Sequence, residues 1–483
     1  MTHRTRIPST GRNPDQLLAH MDQLRTADAD YRGGRTWSMV YWANEAHEAF
    51  LKKAHNLYFS DNALNPIAFK SLKQMESEVV QMTADMLHGP DSAVGTMTSG
   101  GTESILVAMA AYRDRARRRW PWIRRPNVVL PETAHPAFDK AGHYFGIRMR
   151  RAAVLPTGQV DIRDMKRRID RNTIALAASA PQYVTGTIDP IPELGALALS
   201  KRLPFHVDGC FGGFIQPWLE KLGVAMPPWD FRVPGVTSIS ADVHKYGYTA
   251  KGASVIVYRD MSYLRHQFFV QTGWSGGIYI SPSMRGTRPG GPIAAAWASL
   301  QAMGEDGYLE IAKTAYDTAQ HLRDGLNAID GLRVLGLPHS IVAAYAASSD
   351  EVDLFVVADQ LQERGWSVDR QSTPPSIHCS VNAANAPVVD EYLADVRDAV
   401  AHARAHPELS TEGDAAMYGM MAKVPIRGLV DHSVRKIMEQ MYSPDGTMPD
   451  LGASEEIDGT LLKALDLFDR AKRAIPSRRG AGL

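Results

Sequence analysis

The sequence predicts an α/β protein: a large, mostly parallel sheet covered by helices on both faces, followed by a smaller α/β domain. Two observations predict it. Short apolar runs that end in small or acidic residues alternate with amphipathic helical stretches, as strands buried on both faces do. At about Asp306 this alternation gives way to a long helix and shorter elements. The chain accordingly divides into an N-terminal arm and helix (1–60), a large domain (61–305), a small C-terminal α/β domain (306–475) and a flexible tail (476–483).

Composition sets the outer limits. With 483 residues, 44% hydrophobic and 22% charged, the chain reads as globular and large enough for two cores. Lys plus Arg and Asp plus Glu both number 53, so no net positive field exists to hold nucleic acid, and no recognition motif for it is present. Two cysteines, Cys210 and Cys379, cannot build a disulfide framework or a thiolate metal site. Met1 to Pro8 lacks the apolar core of a signal peptide, and no stretch has the length and apolarity of a membrane span. A cytoplasmic protein without an integral membrane segment is expected.

The arm carries plausible helix caps at Asn13 and Asp15 and an amphipathic helix over Glu45–Leu57; such arms often wrap a partner subunit. A helix over Phe69–Leu87 stops at His88-Gly89-Pro90. Thr96 to Ser104 then leads into a helical stretch from Ile105 to Tyr112. Its glycines allow close backbone approach, its hydroxyls can donate, and a helix's first turn presents unpaired N–H groups, so Ser99–Thr102 reads as a phosphate cradle or as an ordinary Ser/Gly helix entry. It fits neither G-x-G-x-x-G nor G-x-x-x-x-G-K-[ST], which disfavours a dinucleotide or a P-loop nucleotide. The run from Arg113 to Arg125, with Trp120 and Trp122, reads as a solvated helix end in preference to a membrane-surface patch.

A strand at Asn127–Pro131 precedes His135, which either caps a helix or stacks on a flat ring. A strand at Thr173–Ala180, a turn-rich loop to Pro190, a helix over Glu193–Ser200 and a strand at Leu203–Asp208 place Asp208 at a carboxyl end, where ligands of such sheets bind. Asp208 could cap a loop or pair with a protonated ring nitrogen. The run Val236–Ser240 delivers His244 and Lys245 to the sheet mouth, with a further strand at Ala253–Tyr258. Lys245 alone could be a surface strand cap, or a partly desolvated amine able to lose its proton and attack a carbonyl. In the smaller domain, strands are expected at Leu332–Leu335, Ser340–Tyr345 and Ser376–Val381, with helices over Glu351–Glu363 and Val388–Ala405; His378 reads as a core histidine.

One cofactor makes the set intelligible: pyridoxal 5'-phosphate, with Lys245 for its carbonyl, Asp208 for its ring nitrogen, His135 for its ring face and the Ser99–Thr102 turn for its phosphate. That order along the chain is the order of the large domain of the aspartate-aminotransferase-like (type I) fold. Ser99-Gly100-Gly101-Thr102-Glu103-Ser104-Ile105-Leu106, His206 to Phe214, Ser238 to Gly252, Trp274 to Tyr279, Gly286 to Gly291 and Met417-Tyr418-Gly419-Met420 resemble the sphingosine-1-phosphate lyase family, a branch of the group II decarboxylase-like enzymes. The likeness runs from about Val40 to about Tyr442 and points to a bacterial-type member without membrane anchor.

The resemblance implies a carbon–carbon lyase that cleaves a phosphorylated long-chain base to a fatty aldehyde and phosphoethanolamine by retro-aldol chemistry. It implies that Lys245 forms the Schiff base, that Asp208 and His135 hold the ring, and that Gly100, Gly101 and Thr102 bind the phosphate, with Thr287 supplied by the second subunit of a homodimer. Tyr41, His244 and Lys251 match family positions near the substrate, Lys251 as partner of the substrate phosphate. Tyr41, His244 and Lys245 all stand as candidate bases. Two departures bear on the substrate. Asn65 stands where the family has a substrate-side histidine, and Val184-Thr185 replaces its Pro-His pair. The alternative is an amino-acid decarboxylase on the same cofactor, which would need a cation for the substrate carboxylate; a non-catalytic scaffold would leave Lys245, Asp208 and His135 unexplained.

Overall fold

The computed structural model describes residues 6–337, 339–411, 415 and 427–444. Its centre is a seven-stranded sheet of β1 (Val94–Thr98), β2 (Asn127–Pro131), β3 (Arg148–Ala152), β4 (Thr173–Ser179), β5 (Phe205–Asp208), β6 (Ser238–Ala241) and β7 (Ser254–Tyr258), in the order β1-β7-β6-β5-β4-β2-β3. Strands β2 to β6 pair in parallel, while β7 lies antiparallel between β6 and β1. The central strands are buried along their whole length, which is why they read as unbroken apolar runs. Edge strand β3 reads Arg-Met-Arg-Arg-Ala and buries only its last residue, so its strand character was invisible in the sequence.

Ten helices precede or cover this sheet: α1 (Pro14–Leu24), α2 (Glu45–Leu57), α3 (Lys70–Met86), α4 (Gly101–Arg119), α5 (Ala137–Phe145), α6 (Ile162–Arg168), α7 (Ile191–Lys201), α8 (Gln216–Lys221), α9 (Met261–Leu264) and α10 (Gly290–Asn327). Asn13 caps α1 by accepting from the Asp15 and Gln16 N–H groups, and Asn44 caps α2 by accepting from His47 N–H. Two apolar layers flank the sheet. One gathers Ile105, Val107, Met109 and Phe138 under α4 and α5; the other gathers Leu194, Phe214, Trp229 and Val79.

Between β7 and α10 runs an antiparallel hairpin, β8 (Phe269–Trp274) and β9 (Gly277–Ser281), that the sequence reading did not place. Its return segment is anchored by Arg288, whose guanidinium pairs with the buried Glu76 of α3. Helix α10 then bends at Gly304, where φ is 58° and only glycine sits without strain. It leads to a four-stranded antiparallel sheet of β10 (Leu332–Val334), β11 (Val342–Ala347), β12 (Asp369–Ser372) and β13 (Pro375–Ser380), ordered β10-β11-β13-β12 and packed with α11 (Leu354–Glu363) and α12 (Val389–Ala405). Strand β12 is polar and half-buried, and was likewise missed. The expected tail and the Met417–Met420 segment lie outside the described residues. Among the described residues, no helix is long and apolar enough to cross a membrane.

Candidate active site

Parallel pairing brings the carboxyl ends of β4, β5 and β6 level, with Ser179 opposite Asp208 and Asp208 opposite Ser240. At this edge lies a cavity of about 460 Å³ whose lining includes Gly100, Gly101, Thr102, His135, Asp208 and Lys245. Residues more than a hundred positions apart thus meet at one site. A larger cavity, about 830 Å³, lies between α3, α8 and α10 and contains none of these groups.

Gly100 is the N-cap of α4, so the backbone N–H groups at Gly101 and Thr102 open the helix toward the cavity. A side chain at Gly101 would not fit: its Cβ would lie 2.7 Å from Cys210 Sγ and 2.8 Å from Asp242 Oδ2. The expected cradle needs one correction. Ser99 spends both its N–H (2.7 Å) and its hydroxyl (2.6 Å) on Glu103 Oε2, so it is not a free donor.

Asp208 is buried at the end of β5, and both of its hydrogen bonds, from Cys210 N–H at 3.0 Å and from the Ser240 hydroxyl at 3.4 Å, fall on Oδ1. Its other oxygen is left for a partner in the cavity. His135 stands two residues before α5; its Nδ1 accepts from Ala137 N–H at 3.1 Å, which fixes the ring in an exposed position on the cavity wall. The ring thus caps the entry to α5 and stands on the cavity wall.

Lys245 does not behave as an easily deprotonated amine. Its Nζ lies 3.1 Å from Asp242 Oδ2, a carboxylate only 3% exposed. Burial, the largest single influence, acts to lower the Lys245 pKa, but Asp242, Tyr41, Cys210 and Asp208 together outweigh it, so the pKa is raised. Asp242 is correspondingly lowered: burial opposes its charge and Lys245 and His244 overcome it. Its Oδ1 is buried with no hydrogen-bond partner among the described residues. The amine with the lowered pKa is Lys251, pushed down to about 8 by burial and then by the neighbouring Lys245. Lys251 Nζ donates to the Met39 carbonyl at 2.7 Å and sits 5.1 Å from the centre of the Tyr41 ring.

Tyr41 is buried beside Lys245 with its ring edge-on to Tyr246 at 4.7 Å; burial raises its pKa, so the phenol keeps its proton. His244 is held below the usual imidazole range by burial, and Nδ1 accepts from Ala253 N–H at 3.3 Å. That bond puts the remaining ring proton on Nε2, which faces Asp242 Oδ2 at 3.6 Å. Nδ1 of His244 is therefore committed, while Nε2 faces Asp242 beyond hydrogen-bond distance.

Of the residues expected near the substrate, Tyr41, Lys251 and Asn65 are not among this cavity's lining, and neither is Thr287, which was expected from a second subunit. Asn65 is exposed and uses Oδ1 to accept from the N–H groups of Ile67 and Ala68, so its side chain closes a local turn. Thr287 lies against Asn62, whose Nδ2 is 3.5 Å from its hydroxyl. Conversely, Asp242, Glu103, Tyr183 and Phe211 line the cavity and were not singled out. Tyr183 donates to Asp369 at 2.6 Å and stacks on His378 at 3.9 Å, bringing β12 and β13 to the site wall. Asp242 could have been found from its three-residue spacing to Lys245; Tyr183 carried no such signal.

The model of the pyridoxal-dependent decarboxylase conserved domain matches residues 50–333. The chain is 40% identical over 442 residues to sphingosine-1-phosphate lyase 1 of Rattus norvegicus, covering 91% of this chain and 77% of that protein. It is 33% identical over 460 residues to a probable sphingosine-1-phosphate lyase of Legionella pneumophila, covering 88% and 75%. Among solved structures, the sphingosine-1-phosphate lyase of Burkholderia pseudomallei matches with a TM-score of 0.80 at 41% identity, over 84% of this chain and 94% of that one. The glutamate decarboxylase of Lactobacillus brevis, at 21% identity and a TM-score of 0.74, over 83% of this chain and 95% of that one, shares the fold.

Proposed function

Because the chain belongs to the sphingosine-1-phosphate lyase family, within the pyridoxal-dependent decarboxylase group, we propose that it is a lyase cleaving a phosphorylated long-chain base to a fatty aldehyde and phosphoethanolamine. The observation that carries the reading is the meeting of Lys245, Asp208, His135 and the Gly100–Thr102 turn in one cavity. Incubating the cofactor-loaded protein with dihydrosphingosine-1-phosphate is expected to give aldehyde and phosphoethanolamine in equal amounts. No aldehyde from any long-chain base phosphate would sink the reading.

The cavity suits pyridoxal 5'-phosphate. The turn that admits no Cβ at Gly101 offers backbone N–H groups to a phosphate, Asp208 keeps one oxygen open for a ring nitrogen, His135 supplies a flat wall, and Lys245 is the amine that attaches the carbonyl. When bound, this cofactor supplies a protonated ring that accepts the electron pair released from the broken carbon–carbon bond. Asp208 would hold a proton at that ring's nitrogen by its negative charge. Lys245 must first give up the ammonium state that Asp242 favours, and Asp242 is placed to take part in that proton's movement at 3.1 Å. Lys245 Nζ, the Tyr41 hydroxyl and His244 Nε2 are the groups placed for proton traffic, His244 Nδ1 being committed to Ala253 N–H.

Lys251 is the cation for the substrate phosphate. Its pKa is pushed down to about 8, so it loses charge as pH rises through that value. The ratio kcat/KM is expected to fall as pH rises through about 8, and Lys251→Arg, which stays charged, is expected to move that limb upward. An unshifted limb in Lys251→Arg would assign the limb elsewhere.

The working unit is a homodimer. Thr287 lies outside this chain's own cavity, on the segment that follows a hairpin exposing Phe269, Val270, Trp274 and Ile278, apolar side chains that a second copy would cover. Sedimentation at the mass of a single chain under assay conditions would contradict this.

A further inference from the structure

We propose that Glu103 is a positioning residue that fastens the phosphate turn to the segment carrying Thr287 and thereby sets the protein's preference for the phosphorylated cofactor. The inference rests on the cofactor reading above and not on the lyase reading.

Glu103 is the third residue of α4 and is 6% exposed. A glutamate at this position commonly reaches back to cap its own helix. Part of its bonding is of that kind, since Oε2 accepts the Ser99 N–H at 2.7 Å and the Ser99 hydroxyl at 2.6 Å. The rest is not local. Oε1 accepts from Met284 N–H at 2.9 Å, from a residue 181 positions away.

Met284 belongs to the short stretch between β9 and α10. Ser281 folds that stretch on itself by donating to the carbonyls of Ser283 (3.0 Å) and Arg285 (2.9 Å). Three residues beyond, Arg288 is tied to Glu76 and its N–H donates to Asn62 Oδ1 at 3.2 Å. Glu103 and Glu76 are thus the two buried carboxylates that hold this stretch against the large sheet. One of them also dictates where Ser99 points.

A carboxylate is an unexpected choice beside a phosphate site, because its charge has the ligand's sign. The geometry explains why it is tolerated. All three donors are spent on Glu103, and the helix N-terminus offsets its charge. With Ser99 withdrawn, the N–H groups at Gly100, Gly101 and Thr102 are left in a fixed arrangement. A neutral amide cannot reproduce this: Gln has one acceptor oxygen, and its NH₂ would meet either Met284 N–H or the Ser99 pair, donor against donor.

The test compares Glu103→Gln with the parent full-length protein, measuring dissociation constants for pyridoxal 5'-phosphate and for unphosphorylated pyridoxal from the visible absorbance gained on binding. The substitution is expected to weaken the phosphorylated form by about tenfold or more, as misplacing buried donors does, while changing pyridoxal by less than about threefold. Glu103→Asp, too short to reach both Ser99 and Met284, is expected to show the same selectivity, and it serves if the glutamine variant does not fold. Equal weakening of both ligands would make Glu103 a plain structural residue, and unchanged phosphorylated binding would remove it from the site; either overturns the proposal. A parent that binds neither aldehyde overturns it together with the cofactor reading. A loaded parent that makes no aldehyde product sinks the lyase reading alone.

Discussion

Lys245→Ala is expected to abolish aldehyde formation, by roughly 10⁵-fold or more, as removal of a covalent catalytic group does. The structure adds a second expected result. Asp242 is 3% exposed and its Oδ1 has no hydrogen-bond partner among the described residues, so Lys245 is the nearest cation compensating it. Deleting the ammonium leaves a buried carboxylate unpaired, and the variant should lose about 2–3 kcal/mol of stability, below the usual cost of breaking a buried pair because Lys245 is itself 26% exposed. Two further variants separate the effects. Lys245→Arg keeps a cation near Asp242 and should be nearly as stable as the parent yet inactive. Adding Asp242→Asn to Lys245→Ala should restore stability without activity. Urea denaturation beside the aldehyde assay reads both, and equal stability of Lys245→Ala and the parent would show that the ion pair contributes little.

Asp208→Asn is expected to lower kcat by about a hundredfold to a thousandfold with KM little changed. On the proposed reading the carboxylate would keep a proton on the cofactor ring, and an amide carries no charge with which to do so; losing one preorganised electrostatic contact of this kind costs about that much. The geometry makes the substitution a fair test. Oδ1 already accepts from Cys210 N–H and the Ser240 hydroxyl, and an amide oxygen can take over both, so the backbone at the end of β5 should hold. Stopped-flow measurement of the single-turnover rate in the loaded variant reads the chemical step directly. A rate within threefold of the parent would remove Asp208 from the chemistry.

The identity of the site groups and their order along the chain were legible early, because each sits at a place with a local signature: a glycine-rich helix entry, a strand ending in aspartate, a strand delivering a lysine. Strands β2, β4, β5, β6 and β7 were legible for a related reason. Both faces of each are covered, so each is an unbroken apolar run. Strands β3 and β12 were not, since an edge or half-buried strand keeps polar side chains and loses the pattern.

Local sequence thus determined the fold class and the family. Only the tertiary structure decided the charge states and partners. Lys245 looked like an amine ready to lose its proton, but Asp242 holds it charged, and burial beside that same cation makes Lys251 the lowered amine. Ser99 looked like a phosphate donor until Glu103 took both of its hydrogens. Asn65 looked like a substrate-side residue and instead closes a local turn outside the cavity. The physical reason is common to all three: a side chain's type is written in the sequence, whereas its pKa, its hydrogen-bond partner and its distance from the reacting atoms depend on what the rest of the chain packs against it.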